Sequence, residues 1–406
     1  MPGKNTIHVH TKLLQTVPRT LAGAVLGALL LPAIPAYAGA TISSGEDQSV
    51  TVGFGLRTSF TSAEDAAPDG KSRSEDFNLD SIRLYMGAQL NKYIKATFNT
   101  EKESDGSIQV IDAIAQFEPM DEFNVWMGQM LPPSDRSNLD GPYYMLAWNY
   151  PGLVSGYPNY AVGRDKGLLA WGKVFDKKLV YSIGGFEGHN NSAGLSSESD
   201  NLLYAGRLAI NLWEPELAPA YYTGSTYFGA ADIFTIGLVA QHQTDGVGTA
   251  ANKGDYNAYN VDVLLETKDT GSGSLTLEGA YYKTDTDDTV DVPSDIGPKN
   301  AGGLTQGKSY LLGAAYLFPQ QVGYGKFQPY VRFLKFDRDK VIGTGTDAAP
   351  EQFGGDFKQY DIGINYVIAG PNAKISATYT EYKPDDDGVA KNNDTNAFVL
   401  GVQLQF

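Results

Sequence analysis

The final segment of this chain alternates without a break. Phe398, Leu400, Val402, Leu404 and Phe406 are large and apolar, while Ala397, Val399, Gly401, Gln403 and Gln405 set one face that is small or polar. Side chains of a β-strand point to opposite faces in turn, so the segment predicts a strand with one greasy and one polar face. The same period recurs upstream. Val50, Val52, Phe54 and Leu56 alternate with Thr51, Gly53, Gly55 and Arg57; Ile82, Leu84, Met86, Ala88 and Leu90 with Arg83, Tyr85, Gly87 and Gln89; Tyr360, Ile362, Ile364 and Tyr366 with Asp361, Gly363 and Asn365. β-Branched and aromatic residues at this spacing make no single stripe at the helical period of 3.6. Because the second face carries charge, and an unpaired buried charge is costly, that face is expected to border water. The arrangement that fits is inside out: apolar faces toward lipid, polar faces toward the inside of a closed barrel.

Read this way, strands are predicted near 48–60, 77–90, 92–103, 107–118, 122–131, 160–175, 178–188, 200–213, 231–243, 255–268, 272–285, 306–318, 324–338, 356–369, 371–384 and 395–406. The fold class is therefore all-β, a transmembrane antiparallel β-barrel of sixteen strands, an even number as single-chain bacterial barrels require. Connections at 61–76, 131–159, 286–305 and 339–355 are long and polar, whereas Asn91, 119–121, 176–177, 269–271 and 370–371 are brief turns. Long extracellular loops at one end and short periplasmic turns at the other match such a barrel. The stretch 214–230 (EPELAPAYYTGSTYFGA) breaks the rule, being far too long for a turn. A barrel of sixteen strands is too wide for its own side chains to fill and encloses an aqueous space.

The start of the chain reads differently. Lys4, Lys12 and Arg19 stand without any Asp or Glu, Leu21 to Leu31 is an eleven-residue apolar run, and Ala36-Tyr37-Ala38 fits a small-x-small cleavage site. Residues 1–38 are thus expected to be a signal peptide cut after Ala38, since the run falls well short of the roughly 20 residues of a spanning helix. Residues 39–406 are expected to form the barrel, in the outer membrane of a Gram-negative cell. With the leader's three bases gone, 28 basic residues face 47 acidic ones, a net −19. Nucleic acid is excluded as a partner, because it needs a basic surface. The chain has no Cys, so disulfides and thiolate metal sites are ruled out.

Several segments together resemble the phosphate-selective porin O and P family. They are Ile111 to Pro133 (IDAIAQFEPMDEFNVWMGQMLPP), Gly163 to Gly188 with its Gly-Arg-Asp-x-Gly hairpin, Tyr204 to Glu216 (YAGRLAINLWEPE), Gly325 to Asp337 (GKFQPYVRFLKFD), the Gly-x-Asn-Tyr at 363–366 and the terminal Phe406. The resemblance implies a porin that gives small hydrophilic solutes or ions, phosphate and other anions among them, a passive route across the outer membrane. It also implies a homotrimer in outer-membrane lipid, with the third external loop folded into the pore.

The connection 131–159 is that third loop by position. Pro132, Pro133, Pro142, Pro151 and Pro158, with Tyr143, Tyr144, Trp148 and Tyr150, make it stiff, and Asp135, Arg136, Asp140, Tyr143 and Tyr144 are its candidate constriction residues. Strand parity turns the bases Arg57, Arg83, Lys95, Arg207, Arg332 and Lys374 inward, together with the acids Glu101, Asp112, Glu118, Asp262, Glu266, Glu278 and Asp361. Of these, Arg57, Arg83, Lys95, Asp112, Arg207, Arg332, Asp361 and Lys374 are the pore-lining candidates. The two signs are about equal, so the field is mixed, unlike the Arg ladders and Lys clusters of the family's selective members.

Two other classes of function compete with a pore. A hydrolase on a barrel scaffold needs a nucleophile with a base in reach, and outside the leader only His189 and His242 are available. A sheath for a separate electron-transfer partner is open to such a barrel, although without Cys the chain cannot attach haem covalently. No cofactor, no metal and no catalytic residue is expected. Asp285 to Asp295 and Asp385 to Gly388 are acidic loops without the regular spacing of a calcium site.

Overall fold

The computed structural model describes residues 39–45, 47–102, 106–151, 163–188, 201–249, 252–287, 306–339, 356–384 and 394–406. The expected leader 1–38, the end of the third loop, His189 and most of both acidic loops lie outside the described residues.

Sixteen antiparallel strands close on themselves. They are β2 Ser49–Ala63, β3 Ser74–Gln89, β4 Ile94–Lys102, β5 Ile108–Met120, β6 Phe123–Met130, β7 Asp165–Val174, β8 Leu179–Phe186, β9 Leu203–Asn211, β10 Ile233–Thr249, β11 Asn252–Glu266, β12 Ser274–Asp285, β13 Gly307–Leu317, β15 Gly325–Arg338, β16 Phe357–Val367, β17 Ala373–Pro384 and β18 Thr395–Gln405. Two short strands escaped the sequence pattern: β1 Ala40–Ser43, paired with the start of β2, and β14 Gln321–Val322, paired with β15. The last strand pairs with the first in the wall, Gln403 opposite Arg57 and Leu404 opposite Leu56. Closure pairs each of the sixteen wall strands on both sides, so the wall presents no unpaired strand to hydrocarbon, which would not tolerate one.

The outer face is as the alternation predicts. Leu312, Ile362 and Leu400 are 60%, 61% and 45% exposed, apolar surface suited only to lipid. Rings pair across neighbouring strands toward both ends: Tyr281 with Tyr310 and Phe333 with Tyr360 toward the long-loop end, Phe327 with Tyr366 toward the short-turn end. Such girdles mark the two interfaces of a bilayer.

The inner face departs from expectation. It was predicted to be small or polar and wet, yet Ile114, Trp126, Leu169, Trp171, Phe186, Leu203 and Tyr256 point inward from β5 to β11 and are buried. They pack against Leu131 and Leu139 of the third loop and Tyr221 of the segment 214–230, with Trp126 and Trp171 edge to face at 5.6 Å. The cause is that two stretches of chain fold into the cylinder, one from each end, and build a hydrophobic core inside it. Most inward charges are correspondingly buried, not solvated.

Candidate functional site

The third loop leaves β6 at Met130 and at once meets the wall. Gln241 of β10 donates to Pro133 O at 2.8 Å, and Arg207 of β9 donates to Ser134 O at 3.2 Å. A single helical turn, α1 Arg136–Asp140, follows, capped by Asp135, whose carboxylate accepts Asn138 N–H at 3.0 Å. An aspartate in this position satisfies an amide that the helix itself leaves unpaired. Every residue of α1 is buried.

Arg136 is the hub. Its guanidinium forks onto both oxygens of Glu216 at 2.8 Å, donates to Gly224 O at 2.9 Å and lies 3.3 Å from Asp262. Glu216 and Gly224 belong to the 214–230 segment, so this bidentate pair joins the two inserted pieces. Burial works against the Glu216 carboxylate, but Arg136 and a hydrogen bond from Tyr227 bring it below the ordinary carboxylate range.

Asp140, at the end of α1, has different company. Thr223 Oγ1 lies 2.7 Å from one of its oxygens; the Ser225 hydroxyl sits between its other oxygen and Glu278, 3.0 Å from the latter. One hydroxyl carries one proton and cannot satisfy two carboxylates at once. Burial, with Glu278 alongside, pushes the Asp140 carboxyl well above its usual range.

Beyond α1 the loop crosses to the opposite wall. Tyr143 and Trp148 seat on glycines there: a Cβ at Gly55 would lie 2.7 Å from Tyr143 Oη, and one at Gly401 2.5 Å from the Trp148 ring. The Tyr143 hydroxyl is 2.9 Å from Ser81, and Tyr144 O accepts Ser225 N–H at 3.1 Å, again tying loop to insert.

The pore-lining candidates are all inward-facing, as parity predicted, but most are spoken for. Arg83 pairs with Glu101, Arg164 with Asp112, Arg207 with Asp262 and Arg332 with Asp361, every one of these side chains 7% exposed or less. Gly237 stands between Arg207 and Asp262 on the intervening strand, and any Cβ there would collide with both. Lys95 pairs with Glu118 and keeps 35% of its side chain exposed. Among the described residues, Arg57 and Lys374 have no acid within ion-pair distance; each donates to a loop carbonyl, Arg57 to Trp148 O at 2.6 Å and Lys374 to Met145 O at 3.0 Å. Apart from Lys95, these groups are buried against partners and do not border water as expected.

The 214–230 segment was missed as a functional element, along with Glu216, Thr223 and Ser225. Its composition carried the signal, since Pro215, Pro219, Tyr221, Tyr222, Tyr227 and Phe228 give it the same proline-and-ring character as the third loop. Of the two histidines raised for hydrolysis, His242 is at the outer surface, its ring nitrogens 2.9 Å from Asn257 and 3.2 Å from Thr244.

Comparison with known proteins agrees with this architecture. A family described as phosphate-selective porin O and P matches residues 50–406. Among solved structures, an anion-selective porin from Comamonas acidovorans is similar at 15% identity and a TM-score of 0.57, covering 89% of this chain and 100% of that one. The outer membrane channel DcaP of Acinetobacter baumannii is similar at 11% identity and a TM-score of 0.56, covering 90% and 100%. OmpT, an outer membrane protein of Vibrio cholerae, is similar at 13% identity and a TM-score of 0.53, covering 90% and 100%. At these identities the likeness is one of fold. No curated protein matches the chain.

Proposed function

This chain belongs to the phosphate-selective porin O and P family, an outer-membrane porin for passive diffusion of small hydrophilic solutes or ions, and we propose that its third loop, residues 131–159, forms the constriction of the pore. The observation that carries this is the course of the loop. It is hydrogen-bonded to inward side chains on both sides of the cylinder, from Gln241 and Arg207 to Arg57 and Lys374. A segment held at both walls fixes a cross-section in the way a tethered strap does.

On this reading the sign preference is weak. Opposite charges on the wall neutralise one another pair by pair, and charged rings set selectivity only when one sign dominates. Single-channel recording in planar bilayers tests both points. Asn149→Cys, half-buried on the loop and unique in a chain without Cys, should lose conductance on reaction with a bulky maleimide. The reversal potential in asymmetric KCl should stay near zero. Unchanged conductance would remove the constriction, and a strongly anion-selective current blocked by phosphate would remove the weak preference.

The working form is proposed to be a homotrimer that begins after Ala38, with residues 1–38 cleaved on export. The basic start, the short apolar run and Ala36-Tyr37-Ala38 support the cleavage, and N-terminal sequencing of protein from outer membranes tests it. Native mass spectrometry of the detergent-solubilised protein tests the trimer.

A further inference from the structure

Strand register places three inward donors side by side. Arg57 of β2 is directly opposite Gln403 of β18, and Gln403 is directly opposite Lys374 of β17. All three are buried, at 5%, 0% and 2% exposure. Each gives a hydrogen bond to the main chain of the same short stretch of the third loop: Gln403 Nε2 to Tyr143 O at 2.8 Å, Lys374 Nζ to Met145 O at 3.0 Å, Arg57 Nη2 to Trp148 O at 2.6 Å. Asn365 of β16 adds a fourth, to Leu146 O at 3.0 Å.

The chemistry of this row differs from most of the wall. Arg83, Arg207 and Arg332 meet acids across the strands; here two cations face backbone carbonyls, as Lys173 of β7 faces Ala218 O at 3.3 Å, and Arg57 also lies 4.0 Å over the Trp148 ring. Carbonyls of an irregular segment have no sheet or helix partners and must find donors when buried. A row of side-chain donors on a rigid sheet answers that need for almost any loop sequence, because it reads main chain. Gly401, beside the row, leaves the space that the Trp148 ring fills.

We propose that Arg57, Gln403 and Lys374 are positioning residues, a clasp that holds residues 143–148 of the third loop against the wall, and not ligands for passing solutes. The proposal rests on the reading of the loop as the constriction, but its test does not need ion conduction. Ala147, 1% exposed and packed with Leu146, Ala315 and Tyr330, becomes a reporter as Ala147→Cys, the sole thiol of the chain. In the otherwise unaltered barrel this thiol should react slowly with a membrane-impermeant maleimide. Lys374→Met keeps the length and bulk of the side chain but cannot donate, and it should speed labelling at least tenfold. Gln403→Glu, which turns the donor into an acceptor facing a carbonyl, should do the same, while Arg57→Lys, which keeps a cationic donor, should restore slow labelling relative to Arg57→Ala.

Heat-modifiable migration on gels identifies folded barrels, so a variant that fails to fold is replaced by the next of the three. Equal labelling rates in folded Lys374→Met, Gln403→Glu and parent would overturn the clasp. A shift of reversal potential in Lys374→Met with labelling unchanged would overturn it too, by returning Lys374 to the role of solute ligand. Fast labelling without any change in conductance would sustain the clasp and instead sink the constriction.

Discussion

The two sides of the barrel interior were built by one rule and ended in different states. On β9 to β12, Arg207, Asp262, Glu266 and Glu278 point inward at 7% exposure or less. On β4 and β5, toward the short-turn end, Thr97 and Gln116 point inward and are partly exposed, and Lys95 and Glu118 keep 35% and 16% of their side chains open. The outer faces of the same strands are indistinguishable: Leu208 and Leu277 at 44% and 41%, Phe98 and Phe117 at 41% and 49%. Alternation therefore sets what faces lipid, but wetness inside depends on what folds in from the ends. The third loop and the 214–230 segment cover one side and leave part of the other open.

The largest test of this contrast is the removal of one buried carboxylate. Asp262→Ala leaves Arg207 and Arg136 without their shared partner in a covered site, which should cost about 3–5 kcal/mol, read as a fall in the urea midpoint of the folded barrel in detergent. Lys95→Ala on the open side should cost no more than about 1 kcal/mol, since its side chain is 35% exposed and a partly solvated pair contributes little, while Glu118 keeps the Trp126 indole N–H at 2.9 Å. Equal losses would erase the distinction between the sides.

Next comes Gly237→Ala, which adds one methyl between Arg207 and Asp262 and should cost about 1–3 kcal/mol by overpacking. The same change at Gly87, where only Thr51 lies within reach at 3.9 Å, should cost less.

A smaller effect is expected from pH. Burial and Glu278 raise Asp140 above its unfolded value, so its contribution to the docked loop is complete below the ordinary aspartate range and is lost as pH rises through the raised value. The loop should loosen with increasing pH, visible as faster labelling of Ala147→Cys, and Asp140→Asn should flatten that dependence. Loosening on acidification instead would contradict the assignment.

Smallest in stability is Lys95→Glu, at about 1 kcal/mol or less for a pair open to solvent. Its interest is electrical: two acids in a wet part of the lumen should move the reversal potential toward cations. The corresponding change at Arg332, covered and paired with Asp361, should act on folding instead.

How far the sequence reaches can be judged from particular residues. Period two gave the direction of every pore-lining candidate, because a strand offers only two faces. The paired charges and the core of Trp126 and Trp171 were not legible, since even pairs on neighbouring strands, such as Arg83 with Glu101 and Arg332 with Asp361, depend on register, and Arg136 meets Glu216 across eighty residues. Position alone identified the third loop, but the row Arg57, Gln403 and Lys374 needs register, which brings residues 57 and 403 face to face only on closure.

By itself, then, the chain determined an inside-out barrel and its strand number, for alternation is a local property that each strand expresses alone. Only the tertiary structure decided which inward groups meet water and which clasp a loop. Those outcomes depend on two segments whose own composition favours burial but names no destination, and on hydrogen bonds that exist only once the cylinder has closed.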